Sequence, residues 1–388
     1  MRVAFNATAL LSPMTGIGQY AFHLAQGLQQ QADIDLDLFY GSGWHRDLRT
    51  EPLPHIVSLK SLVRRFVPSS YEVSRVLQQK FFTSGTRQAM NDVYHEPNFL
   101  AFRFDGPSVI TVHDLSWIRH PDMHPVERVR AMNKYFQPGL ERASIILTDS
   151  EFVKRELIGV FGMKPERIKP VLLGVEPLFR PQSSSETMAV LTQHQLTHGH
   201  YLLAVGTLEP RKNLQVALRA YMQLPASFRK TYPLVLVGMK GWQASELEQE
   251  IAPLVNAGQV RRLGYLPRED LATIIAGATT LIYPSIYEGF GLPPLEAMAC
   301  GVPTIVSNVS SLPEVVGDTG LLIDPYDVGG LAHAIQTLVE SPGMCQELGQ
   351  KALQRSATFT WARCVDQTLE AYQAVLDNSA DLSPSGVS

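Results

Sequence analysis

The sequence predicts an α/β protein made of two doubly wound domains, each with a parallel sheet covered on both faces. Three observations lead there. The chain has 388 residues, more than one hydrophobic core usually holds. Short apolar runs alternate with amphipathic segments along its length, the pattern of strands buried on both faces. The alternation is interrupted once, at Arg180–His200, where Pro181, a Ser-Ser-Ser-Glu run and three histidines read as a linker between domains.

The elements follow in order. Val3–Thr8 opens the chain as a strand; one Arg followed by a short run holding Asn6 makes a poor signal peptide. Ile34–Tyr40, Val109–Val112 and Ile145–Thr148 continue the first domain. Tyr201–Val205, Leu234–Val237, Thr280–Tyr283 and Thr304–Ser307 form the second. The expected divisions are 1–180 and 181–360, with 379–388 (SADLSPSGVS) as a disordered tail. In open sheets of this kind ligands gather at the carboxyl ends of the strands, so each domain should supply one wall of a deep cleft.

Composition narrows the class. Apolar content of 45% and charged content of 18% describe a soluble globular chain, and a net charge of −4 offers no general attraction to nucleic acid. Cys300, Cys345 and Cys364 show no metal-ligand spacing and read as reduced thiols. No apolar run approaches the roughly 20 residues of a membrane span. A cytoplasmic location is expected.

Four segments carry chemistry. TGIGQY at 15–20 opens a helix, and Gly16 and Gly18 would let its backbone approach an anion. The dinucleotide fingerprint is incomplete, because no third glycine follows at the required spacing. A plain strand-to-helix turn explains the segment equally well. TVHDLS at 111–116 ends a buried strand, and His113 could handle a proton near neutral pH or be a hydrogen-bonded core histidine. Asp114 could orient a ligand or cap the next turn. GTLEPRKN at 206–213 places Gly206, Arg211 and Lys212 at an expected helix start. Cations are disfavoured at that end unless they and the dipole share an anion, and a diphosphate would satisfy both.

The fourth is YEGFGLPPLEAMACG at 287–301. Its two prolines argue against one continuous helix. The segment reads as a loop at 288–292 followed by a helix starting near Pro293 or Pro294. Glu288 then lies in the loop and Glu296 in the first helical turn. A carboxylate can accept from two sugar hydroxyls at once, while Gly289 and Gly291 leave backbone amides open to phosphate. A dipole-favouring glutamate fits Glu296 but not Glu288. A span across a loop and a helix start also argues against the acid/base pair of a glycoside hydrolase.

With its Gly-Phe-Gly and Pro-rich surroundings, the pair resembles the Glu-x7-Glu motif of the retaining nucleotide-sugar glycosyltransferases of family 4. These have the GT-B fold of two Rossmann-like domains with parallel sheets facing across a deep cleft. GTLEPRKN, TVHDLS, TGIGQY and FTWARCVDQTLEAY near the C-terminus fit the same family in the same order, and the likeness is weakest at 42–90. It implies an acceptor-binding N-terminal domain, a donor-binding C-terminal domain, and a helix at about 361–378 that packs back on the first domain.

By resemblance, Glu288 binds donor-sugar hydroxyls and Glu296 grips the ribose. The Phe290–Leu292 backbone, with Gly289 and Gly291, meets sugar and phosphate. Arg211 and Lys212, next to Gly206, neutralise the diphosphate. His113 sits over the reacting carbon, and Gly16 and Gly18 line the phosphate. Gly264, Tyr265 and Leu266 contact the base through backbone. Many relatives carry Arg where Thr207 stands; here the adjacent pair Arg211 and Lys212 would do the work of a more separated pair.

Arg, Lys and helix N-termini would stabilise the departing nucleoside diphosphate, and such enzymes usually need no metal cofactor. Asp33, Asp35 and Asp37 alternate with apolar residues as on a half-exposed edge strand, not a metal site. Retention of anomeric configuration by front-side attack is implied, with the donor phosphate accepting the acceptor's proton.

GTLEPRKN and YHEPNF at 94–99 resemble bacterial mannosyltransferases of polysaccharide and O-antigen assembly, which favours GDP-mannose as donor. UDP- and dTDP-sugars stay open. The acceptor would be a glycan or a lipid-linked oligosaccharide. Residues 60–87 carry Lys60, Arg64, Arg65, Arg75, Lys80 and Arg87 against Glu72, with apolar residues between. That segment suits either peripheral contact with an anionic membrane or an amphipathic helix pair packed on the sheet. The rival classes are a non-catalytic sugar-nucleotide-binding protein, a nicotinamide-dependent oxidoreductase, and a phosphorylase or epimerase of the same fold.

Overall fold

The structure is a computed structural model that describes residues 1–12, 14–50, 70–241 and 245–381. The chain divides into two compact units. The first comprises Met1–Leu115, Glu127–Leu173 and Trp361–Ser388; the second comprises Ser116–Val126 and Gly174–Thr360.

The first unit is built on β1 (Arg2–Asn6), β2 (Asp35–Phe39), β3 (Trp44–His45), β4 (Val93–Glu96), β5 (Ser108–Val112), β6 (Ile145–Thr148) and β7 (Ile168–Pro170). Their order is β3-β2-β1-β4-β5-β6-β7. All pairs are parallel except β2 with β3. The sequential order reverses between β1 and β4, which makes their carboxyl ends the switch point of this sheet.

Helices Gly16–Gln29 and Trp361–Asp381 pack together in this unit. A Cβ at Gly27 would overlap Val365, and His23 stacks on Trp361 at 4.6 Å. The C-terminal helix runs to Asp381, past the expected start of the tail at 379; residues 382–388 lie outside the described residues.

The second unit holds β8 (Leu202–Val205), β9 (Leu234–Val237), β10 (Val260–Gly264), β11 (Thr280–Tyr283), β12 (Thr304–Ser307) and β13 (Leu321–Ile323). Their order is β10-β9-β8-β11-β12-β13, all parallel. Alternate residues feed opposite layers. Leu202, Ala204, Leu236, Ile282 and Ile305 pack into one core, and Leu203, Val235, Val237, Leu281 and Val306 into the other. Period-two alternation with both faces covered produces the continuous apolar runs. The switch point lies between β8 and β11.

Two expectations need correction. Arg180–His200 is not an irregular linker, for it contains helix Ser184–Gln193. Ser183 and Glu186 of the Ser-rich run form a capping box that starts it. β2 is not an edge strand either, because β3 pairs along its outer side. Its alternation holds: Leu36 and Leu38 are buried, while Asp35 and Asp37 are partly exposed.

Candidate functional site

In the second unit the chain leaves β8 through Gly206 at φ +148° and leaves β9 through Gly238 at φ +144°. The two backbones touch so closely that a Cβ at Gly238 would overlap the Gly206 carbonyl. Only glycine fits there, both for space and for φ. The loop after Gly206 turns through a short 3-10 segment, Pro210–Lys212, and then through Asn213 at φ +55°. Arg211 and Lys212 therefore precede helix Leu214–Gln223 instead of beginning it.

Asn213 ties this loop to its neighbours. Its amide donates to the carbonyls of Pro284 (3.0 Å) and Pro325 (2.6 Å), and Ile286 N donates to Arg211 O at 2.9 Å. The loops that follow β8 and β11 are thus knitted together at the switch point of the sheet.

That knitting brings Arg211, Lys212 and Glu288 into contact. Arg211 Nη1 lies 2.8 Å from Glu288 Oε2, and Lys212 Nζ lies 2.6 Å from Glu288 Oε1. Arg211 Nη2 also holds Glu209 at 2.8 Å, and Lys212 Nζ donates to the Tyr283 hydroxyl at 2.7 Å. Two cations and two carboxylates, all largely buried, neutralise one another. Burial alone would raise the Glu288 carboxyl, but Arg211 and Lys212 overcome it and hold the group down at about 2. Burial, with Glu288 nearby, keeps the Tyr283 phenol protonated.

Behind Glu288, its N–H donates to Ser310 Oγ at 3.0 Å, and Ser311 Oγ lies 2.9 and 2.7 Å from the carbonyls of Glu288 and Phe290. Gly289, Phe290 and Gly291 complete the loop, with Gly291 at φ +123° as the N-cap of helix Leu292–Ala299. This helix begins one residue before Pro293. Glu296 is its fifth residue, beyond the first turn where it was expected, and is buried. Its ionic partner is Arg268, 2.9 Å away, and Arg268 also holds Glu176 through Nε at 2.9 Å. Gly264, at φ +70°, ends β10; Tyr265 is half exposed and Leu266 is buried, just before helix Arg268–Ala276. His120, in the Ser116–Val126 segment of this unit, meets the Tyr287 ring edge-on at 5.7 Å.

In the first unit Gly16 and Gly18 lie in the first turn of helix Gly16–Gln29, with Thr15 at its N-cap and no acidic residue in that turn. His113 directly follows β5 and is buried. Both ring nitrogens are engaged: Nε2 donates to the Pro97 carbonyl at 2.7 Å, and Nδ1 faces Asp149 Oδ2 at 2.8 Å. Burial pulls the ring's pKa down, but the Asp149 carboxylate outweighs it and holds it above its ordinary value. A ring bonded on both sides is a fixed strut, and that fits the structural alternative better than an open proton acceptor.

Glu96 anchors the same Pro97 loop. It accepts from Asn6 Nδ2 (2.7 Å), Tyr94 OH (2.6 Å) and Asn98 N (3.1 Å), and burial pushes its carboxyl up to about 7.

Sequence reasoning singled out Arg211, Lys212, Glu288, Glu296 and His113 but missed Glu209, Glu176, Arg268, Asp149 and Glu96. Glu209 stood two residues from Arg211 in a segment already noted. Glu96 likewise lies inside YHEPNF, bonded to Tyr94 and Asn98 two residues to either side; nothing local marks Glu176, Arg268 and Asp149, whose partners lie far along the chain. Among the described residues no three His, Cys, Asp or Glu side chains gather as a metal-holding group.

Residues 14–177 match the family described as Glycosyltransferase Family 4, and residues 193–355 match Glycosyl transferases group 1. The chain is 38% identical over 387 residues to O-antigen chain mannosyltransferase B of Escherichia coli, covering 96% of this chain and 100% of that one. It is 30% identical over 282 residues to the serotype-specific mannosyltransferase WbdA of Escherichia coli, covering 71% of this chain and about a third (34%) of the longer relative. The structure of sucrose-phosphate synthase from Thermosynechococcus elongatus aligns with a TM-score of 0.76 at 20% identity, over 97% of this chain and 100% of that one.

Proposed function

Because this chain belongs to the family-4, group 1 glycosyltransferases and has their GT-B fold, we propose that it moves a mannosyl residue from GDP-mannose to a glycan or lipid-linked saccharide. The setting would be bacterial surface polysaccharide assembly, with retention of anomeric configuration. The mannosyltransferase relatives support the sugar. The observation that carries the chemistry is the buried meeting of Arg211, Lys212 and Glu288 at the β8/β11 switch point.

In this reading the site is charge-neutral before donor arrives. The diphosphate takes over Arg211 and Lys212, and Glu288, released from them, accepts from the sugar hydroxyls. The Gly289–Leu292 backbone and the N-terminus of helix Leu292–Ala299 meet the phosphate. As the bond from the anomeric carbon to phosphate oxygen breaks, the leaving diphosphate gains charge that the two cations stabilise. The acceptor hydroxyl attacks the same face, and its proton passes to the departing phosphate oxygen. His113, bonded on both sides, positions the Pro97 loop near the acceptor and takes up no proton itself. Glu296 holds the ribose, and the 264–266 backbone meets the base.

A donor panel tests this. Purified protein is incubated with GDP-mannose, UDP-glucose and dTDP-rhamnose, and nucleotide release and the anomeric proton of the product are followed. Release with GDP-mannose alone is expected. Turnover only with a UDP- or dTDP-sugar would replace the donor, and no turnover with any would leave a sugar-nucleotide-binding protein.

Peripheral membrane contact rests on helix Ser70–Ala89, where Val76, Leu77 and Phe81 are 58%, 51% and 51% exposed beside exposed Lys80 and Arg87. Lys60, Arg64 and Arg65 of the basic segment lie outside the described residues. Among the described residues no helix is long and apolar enough to cross a membrane.

A further inference from the structure

Arg268 is the first residue of helix Arg268–Ala276, two positions after Leu266. Its guanidinium is held on three sides. Nη2 lies 2.9 Å from Glu296 Oε1, Nε lies 2.9 Å from Glu176 Oε1 with Nη2 on the same oxygen, and its face covers the Phe179 ring at 4.6 Å. A planar fork fixed in this way loses little further freedom when a ligand binds.

Glu296 needs such a neighbour. It is 4% exposed, and a buried carboxyl left alone tends to take up a proton. A vicinal diol donates two hydrogen bonds, and the ionised carboxylate, a strong acceptor at both oxygens, takes both. We propose that Arg268, braced by Glu176 and Phe179, is a positioning residue that keeps Glu296 ionised and aimed at the vicinal diol of a nucleotide's ribose. This rests on the reading of Glu296 as the ribose-binding group. Because only Pro267 separates Arg268 from the 264–266 segment, the same loop end couples base and ribose recognition.

The charged and titratable groups around Glu296 are Arg268, Glu176 behind it, and Cys300 one turn along its own helix, with Arg180 beyond the thiol. Burial already places the Glu296 carboxyl above its ordinary value, with Arg268 opposing the rise. Loss of Arg268 raises it further, so the ionised form disappears at higher pH as the medium is acidified.

The test is calorimetric titration of the full chain with GDP and UDP, each beside a dideoxy analogue lacking both ribose hydroxyls. Wild type is expected to bind the intact form at least about tenfold more tightly than the analogue, the lower end for a single charge-assisted hydrogen bond where two are lost. Glu296→Gln should erase that difference. Arg268→Gln should lose about tenfold on the intact nucleotide and little on the analogue. Its loss should ease as pH is raised from about 6 to about 9. Arg268→Lys should recover part of the affinity, and Glu176→Gln should fall between.

Equal wild-type affinity for intact and dideoxy forms, or binding of neither, would overturn the ribose reading itself. If Glu296→Gln behaves as expected but Arg268→Gln does not, only the positioning role is overturned. An equal loss on both forms in Arg268→Gln, with a lowered melting temperature, would mark Arg268 as merely structural.

Discussion

Glu288→Gln is expected to separate nucleotide binding from turnover, moving them in opposite directions. In the free protein the carboxylate sits 2.8 Å from Arg211 Nη1 and 2.6 Å from Lys212 Nζ. An incoming diphosphate must take those cations from it. At about 4 Å between charge centres and an effective dielectric near 20, each pair is worth at most about 4 kcal/mol. The depression of the carboxyl to about 2 corresponds to ~3 kcal/mol in favour of the ionised form. A glutamine amide retains some of this as neutral hydrogen bonds, and Glu209 still holds Arg211. About half is then returned to the ligand, or about tenfold tighter binding of nucleoside diphosphate.

Turnover should fall by about a hundredfold or more, because the sugar hydroxyls lose a charged acceptor. Titration calorimetry with GDP, with guanosine as the phosphate-free control, reads the first effect, and steady-state kcat reads the second. An unchanged or weaker GDP affinity in a folded Glu288→Gln protein would refute the idea that Glu288 competes with the diphosphate. Acid stability gives a parallel check. A depressed carboxyl stabilises above its unfolded value, and that stabilisation is lost as pH falls through the folded one. Wild type should therefore lose ~3 kcal/mol between about pH 5 and pH 2 that the variant does not.

Three further outcomes follow from the geometry. Asp149→Asn should lower the His113 titration midpoint seen by NMR. The raised wild-type value stabilises the fold at low pH and is lost as pH rises through it, so the variant's stability should depend less on pH in that window; an unmoved midpoint would contradict the ion pair. Gly238→Ala should force the Gly206–Thr207 backbone aside and weaken nucleotide binding. Gly258→Ala, also at positive φ but with open space around it, should cost only about 1 kcal/mol of stability and leave binding intact. Replacing Leu77 and Phe81 by Glu should abolish flotation with vesicles containing anionic lipid, and unchanged flotation would remove the membrane reading.

The layered α/β class, eight of the strands and the order of the motifs are all legible along the chain. Apolar runs such as Leu234–Val237 are local signatures of burial on both faces, and they hold whatever the topology. The weaker strands escaped for physical reasons. β4 buries His95 and Glu96, which look like surface residues until Tyr372 and Asn6 arrive as partners. β7 and β10 lie at sheet edges and carry Lys169, Pro170, Arg261 and Arg262. The Ser-rich run at 183–186 read as linker because its composition serves a helix cap as well as a loop.

Glu288 and Glu296 were visible as a pair with a spacing, but their partners were not. Packing in three dimensions brings Glu288 to Arg211 and Lys212 and Glu296 to Arg268, and bonds His113 on both ring nitrogens. Strand order at the β8/β11 switch point sets the Glu288 contacts, joining residues more than seventy positions apart. A pattern along the chain reports how each residue relates to solvent. Which charge neutralises which depends on the register of strands that the pattern does not encode.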